Sequence, residues 1–138
     1  MPPPKQSASG DGGESPFKGR TGISRIYHAF LNSLAGLSEA WRYESAFRQE
    51  VVLVGVLLPL AAVVPVTPGE RALLVATALL VIVVELLNSG VEAAIDRIGL
   101  DRHDLSKRAK DFGSAAVLVT LIMLGLVWGV VLAPVFPS

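Results

Sequence analysis

Along the chain the apolar and polar positions change rhythm from segment to segment. Residues 1–22 are rich in Pro, Gly and Ser with scattered charge, a composition expected to stay disordered. From Ile23 the apolar positions Ile23, Ile26, Tyr27, Phe30, Leu31, Leu34, Leu37 and Trp41 recur at steps of three and four, while Ser24, Arg25, His28, Asn32 and Glu39 take the other face. This periodicity predicts an amphipathic helix over about 23–42, suited to a membrane interface or to packing on the protein's own helices. Three mostly apolar stretches follow, at residues 51–66, 72–98 and 113–136. With flanking residues they predict membrane spans over about 46–66, 70–98 and 112–136, each long enough for a hydrocarbon core of about 30 Å. Pro59 is tolerated in such a span, and Val66-Thr67-Pro68-Gly69 reads as a tight turn between the first two. The expected fold is an all-α membrane protein in one domain, 23–138, behind a disordered tail.

Composition narrows the function. The chain has 138 residues, is 51% hydrophobic, carries a formal net charge of zero and contains no cysteine. There is thus no disulfide framework, thiolate metal site or thiol nucleophile, and no nucleic-acid partner is expected. The tail is not read as a signal peptide, because no apolar run begins before about residue 46. Its GDGGESPFKGRTG stretch lacks the Gly-Lys-Ser/Thr ending of a phosphate loop. Basic residues gather before the first span, at Lys5, Lys18, Arg20, Arg25, Arg42 and Arg48, and between the second and third, at Arg97, Arg102, Lys107, Arg108 and Lys110; Arg71 alone lies in the opposite loop. The positive-inside rule therefore puts the amino terminus in the cytoplasm and the carboxy terminus outside.

The candidate chemistry interrupts the second span. Glu85, Ser89, Glu92 and Asp96 fall within roughly 60° of one another at about 100° per residue, with Asn88 on the flank. An ionised side chain within a lone span costs on the order of 3 kcal/mol, so such residues usually face a bundle interior and serve function. Residues 72–84 rise about 20 Å, placing Glu85 inside the cytoplasmic leaflet and Glu92 about 10 Å further, near the headgroups. Charges confined to the interface suit an ion path poorly. Groups so far apart do different work: the drier Glu85 suits a general base, while Glu92, with Glu44 at the entry of the first span, suits a divalent metal. Lys107, Arg108 and Lys110, with Asp111, offer cations for phosphates, and together these are the parts of phosphoryl transfer.

Three motifs, ESAFRQE at 44–50, VELLNSGVEAAIDRIG at 84–99 and LSKRAKDFGSAAV at 105–117, resemble the small integral-membrane diacylglycerol kinases of bacteria. The resemblance covers the chain from about Ser24. It implies homotrimers of three-span subunits with an amino-terminal surface helix, in the cytoplasmic (inner) membrane, passing the γ-phosphate of ATP, as its Mg²⁺ complex, to diacylglycerol. It further implies a base at Glu85 assisted by Asn88, metal carboxylates at Glu44 and Glu92, and nucleotide contacts from Arg25, Asp96, Lys110 and Asp111. Arg48, Gln49, Glu50 and Ser114 match positions on the lipid side. Undecaprenol is the alternative acceptor, although Asn88-Ser89-Gly90 and Gly113-Ser114-Ala115 lean towards the diacylglycerol branch. The remaining alternative is a scaffold or ion path without catalysis. Trp128 is expected as a lipid-facing or interfacial ring, and Asp101, His103 and Asp104 as a solvated loop. Ser114, Gly125 and Gly129 read most simply as small residues permitting close helix approach.

Overall fold

The computed structural model describes residues 22–136, in two units that meet between Ala35 and Gly36. The expected disordered tail lies outside the described residues but for Gly22. There φ is +68°, a left-handed turn that glycine adopts without strain. The Gly22 carbonyl accepts the first bonds of helix α1 (Ile23–Tyr43), from the amides of Arg25 at 3.1 Å and Ile26 at 3.4 Å. In the first unit Ile23, Ile26, Tyr27, Phe30, Leu31 and Leu34 are all exposed.

The second unit holds the end of α1 and three further helices, α2 (Ser45–Val63), α3 (Pro68–Ile98) and α4 (Asp104–Leu132). These three are long and apolar enough to cross a membrane. Between α1 and α2 the backbone turns at Glu44, which is extended at φ −104° and ψ 108°. The Arg48 guanidinium closes this elbow, donating to the carbonyls of Trp41 at 2.8 Å and Arg42 at 3.3 Å. Helix ends leave carbonyls without intrahelical partners, and a cation with several donors answers that need.

The same device recurs at the other end of α2. Arg71 Nη1 donates to the carbonyls of Ala61 and Ala62, and Nη2 to Val64 at 3.1 Å. In sequence Arg71 is only an exception to the charge asymmetry; in the fold it caps α2. The α2 helix stops at Val63 because Val64 turns extended ahead of Pro65. α3 then starts in a capping box: Thr67 Oγ1 accepts from the Glu70 amide at 3.3 Å, and Glu70 Oε2 accepts from the Thr67 amide at 2.8 Å. Pro68 occupies the first turn, where no amide donor is needed.

α3 is central, packing against both α2 and α4. One apolar cluster joins the three: Val54, Ala61 and Val64 from α2, Leu74, Ala78 and Val81 from α3, and Leu124, Trp128 and Val131 from α4. Trp128 corrects the expectation of a lipid-facing ring: it is buried, and its Nε1 donates to the Leu74 carbonyl at 3.2 Å. Ala61 and Ala78 in the same cluster are too small to fill the space an indole takes.

α4 begins earlier than the apolar pattern indicates. His103, expected in a solvated loop, is its N-cap, with Nδ1 accepting from the Leu105 amide at 3.2 Å. The polar turns carrying Lys107 and Asp111 are therefore helical, since charged residues propagate a helix well once its end is capped. Many apolar side chains of the three long helices remain exposed, among them Val52, Val56, Val83, Leu118, Val119 and Val130.

Candidate active site at the polar end of the bundle

The end of the bundle opposite the Trp128 cluster is polar. α3 contributes Glu85, Asn88, Ser89, Glu92 and Asp96, and at about 1.5 Å of rise per residue this stripe is roughly 16 Å long. α2 brings Glu44, Arg48, Gln49 and Glu50 from its first turns, and α4 brings Lys110, Asp111, Gly113 and Ser114. Glu85 and Glu50 are the buried acids, at 3% and 7% exposure. Glu44, Asn88, Ser89 and Glu92 are half-buried, whereas Gln49, Asp96, Asp111 and Ser114 are exposed.

The contacts sort these residues. Asn88 Nδ2 donates to Glu92 Oε1 at 3.3 Å across one helical turn. Lys110 Nζ pairs with Asp96 Oδ1 at 2.6 Å and so ties α4 to α3, while Lys107 pairs with Asp111 at 2.6 Å within α4. Neither of these two ion pairs among the described residues includes Glu85. Glu44 and Glu92 lie within Coulombic range of Glu85, and Glu85 within range of Glu50. Two helices, α2 and α3, thus bring four carboxylates together; among the described residues none of the four is in an ion pair, and Lys110 of α4 lies within Coulombic range of Glu92. Arg48 is turned to the elbow, and Arg25 sits exposed on α1 in the first unit.

Buried polar atoms in proteins are nearly always hydrogen-bonded. Here Glu50 Oε2, Asn88 Oδ1 and Ser89 Oγ are buried without a partner. All three lie at the polar end of the bundle. Separately, an open cavity of about 530 Å³ runs along the α3–α4 connection, lined by Asp96, Arg102, His103, Lys107, Lys110 and Asp111 among others. Among the described residues no group of three or more His, Asp or Glu forms a closed metal cage.

Ser89 belongs to the polar stripe by spacing, one turn from Glu85, and its Oγ is buried there. Arg102, in sequence one of the basic residues between the spans, and His103, expected in a solvated loop, line the cavity, which no spacing rule reveals.

The prokaryotic diacylglycerol kinase family matches residues 31–132, nearly the whole described chain. The chain belongs to that family. A diacylglycerol kinase of Pseudomonas aeruginosa is 53% identical over 118 residues, covering 86% of this chain and 96% of the relative. Those of Haemophilus influenzae and Escherichia coli are each 46% identical over 112 residues, covering 81% of this chain and 95% and 92% of the relatives. All the residues of the prokaryotic diacylglycerol kinase motifs, from Glu44 to Val117, lie inside the matched range; Arg25 lies ahead of it.

Proposed function

We propose that this chain is an ATP-dependent diacylglycerol kinase of a bacterial cytoplasmic membrane, yielding phosphatidic acid and ADP. The observation that carries the reading is Glu85. It is a buried carboxylate outside every ion pair among the described residues, on a span-length helix, in a chain whose relatives are named diacylglycerol kinase. The relatives from Pseudomonas aeruginosa, Haemophilus influenzae and Escherichia coli are all named diacylglycerol kinase, so the polyprenol acceptor is not favoured.

In the proposed reaction the Glu85 carboxylate takes the proton of the lipid hydroxyl as that oxygen bonds to the γ-phosphorus of ATP. The bond from phosphorus to the β,γ-bridging oxygen breaks, and ADP departs. Asn88 holds the site together through Glu92. Asp96, Lys110 and Asp111, at the rim of the cavity, are assigned to the nucleotide. Their present ion pairs are exposed and therefore cheap to exchange for phosphate or ribose contacts. Gln49, Glu50 and Ser114 are assigned to the acceptor side, with Arg48 acting through the elbow that carries Glu44.

The donor set fits Mg²⁺, which is commonly held by one or two carboxylates together with substrate phosphates and water rather than by a full protein cage. Glu44 and Glu92 are such carboxylates. Glu44 stands at the N-cap of α2, yet its side chain makes no capping bond and stays available. Bound there, the ion would neutralise charge on the phosphate oxygens.

The assembly proposed is a homotrimer, supported by the exposed apolar faces of the long helices. The amino terminus is cytoplasmic and the carboxy terminus outside, and α1 is an amphipathic helix on the membrane surface. The domain that does this work is 23–138, behind the tail 1–22.

The test is phosphate transfer from labelled MgATP in mixed micelles, with diacylglycerol and undecaprenol supplied in parallel to wild type and Glu85→Gln. Product on diacylglycerol that disappears in the variant is the expected result. Preference for undecaprenol would change the substrate and keep the chemistry. No transfer to either lipid from an intact assembly would sink the kinase reading.

A further inference from the structure

Gly113 stands apart from the other helical glycines. A Cβ built on Gly36, Gly55, Gly90, Gly125 or Gly129 would meet nothing within 4 Å. A Cβ built on Gly113 would overlap Asn88 Oδ1 and lie 3.2 Å from its Cγ and 3.8 Å from its Cβ, so its three nearest neighbours all belong to Asn88. The residue is in the interior of α4, where glycine is among the poorest helix formers. What the missing side chain provides is a seat for one amide.

The orientation of that amide follows from its chemistry. Only the NH₂ end of an asparagine can donate to a carboxylate, and Asn88 Nδ2 donates to Glu92 Oε1 at 3.3 Å. The oxygen end is then turned to α4, buried and without a partner, against the α-carbon of Gly113. Anything larger than hydrogen at 113 must rotate the amide away, and the Glu92 contact with it. An amide at the end of a side chain yields more readily than two packed helices, so the displacement spares the fold and falls on the site.

We infer that Gly113 is a positioning residue for the metal-binding carboxylate: its bare α-carbon seats the Asn88 amide, which orients Glu92. The inference rests on the assignment of Glu92 to a divalent ion made above. Partners that orient a ligand typically contribute 10- to 100-fold to metal affinity, which sets the expected scale.

The experiment uses the full chain in detergent–lipid micelles and reads Mn²⁺ affinity by electron paramagnetic resonance, beside the Mg²⁺ dependence of transfer and the unfolding midpoint in SDS. Gly113→Ala is expected to weaken Mn²⁺ binding about tenfold or more and to raise the Mg²⁺ requirement equally, with the midpoint unmoved. In an Asn88→Ala background, where the overlap is gone, Gly113→Ala is expected to change Mn²⁺ affinity less than about twofold, the signature of residues acting as one unit. Normal Mn²⁺ affinity in Gly113→Ala, beside weakened binding in Asn88→Ala, would overturn the inference and leave the kinase reading standing. So would equal losses in both backgrounds, or a Gly113→Ala protein that fails to fold. Unchanged Mn²⁺ binding in Glu92→Ala would remove the metal assignment itself and the inference with it.

Discussion

The two ends of the three-helix bundle treat polar groups in opposite ways. At the end around Arg71 and Trp128, donors and acceptors are matched: Arg71 serves three carbonyls, the Trp128 indole reaches the Leu74 carbonyl, and Thr67 and Glu70 close a capping box. Even Thr77 Oγ1, buried, bonds back to the Leu73 carbonyl at 2.8 Å. At the end around Glu85, two buried carboxylates lie near each other, and Glu50, Asn88 and Ser89 hold polar atoms with no partner. The contrast lies in the side chains: at one end each polar side chain named has a partner, and at the other three buried side-chain atoms have none. The proposed site lies at the end with the unmatched groups, in keeping with the trade between stability and activity that such sites make.

If that division is right, substitutions at the two ends should move different observables. The largest effect belongs to Glu85→Gln, which should lower transfer by about 10³-fold, within the range of general-base loss. Its unfolding midpoint in SDS should be unchanged or raised, because a buried charge without a partner has been removed. A destabilised Glu85→Gln protein would break the comparison. Next is Trp128→Ala, which should cost about 3 kcal/mol or more of unfolding free energy through the cavity it leaves, while the KM for MgATP of the surviving fold stays near wild type. Arg71→Met should cost about 2 kcal/mol by stranding carbonyls that had a charged donor, again with normal nucleotide dependence. The smallest effect is expected of Lys107→Ala: its pair with Asp111 is exposed, and no shift of the unfolding midpoint should be measurable.

Hydropathy and helical spacing made the outline of this molecule legible. The three apolar helices follow from segment lengths, and the stripe from Glu85 to Asp96 follows from 100° per residue. The details that were not legible depend on a second helix. Nothing in the surroundings of Trp128 along the chain reveals that the Leu74 carbonyl lies within its reach. Arg71 appears in sequence as a stray charge because the carbonyls it caps are seven to ten residues away and exposed only by the turn at Val64. The early start of α4 was masked by charged residues that look like loop and are in fact its first turns. In the candidate site, spacing grouped the residues of α3, but which of them pair, and which keep an unused atom, was decided by the approach of α2 and α4.

α3 runs unbroken from Pro68 to Ile98. At 31 residues and about 1.5 Å each it is a rod of roughly 46 Å, well beyond a hydrocarbon thickness of about 30 Å. Glu85 and Glu92 ride on this rod at a fixed separation, with no hinge between them, and its far end is moored by the capping box and the Arg71 clasp. A thinner or thicker bilayer, or a change in helix tilt, must therefore raise or lower both carboxylates together, so that the surrounding lipid sets the depth of the proposed site.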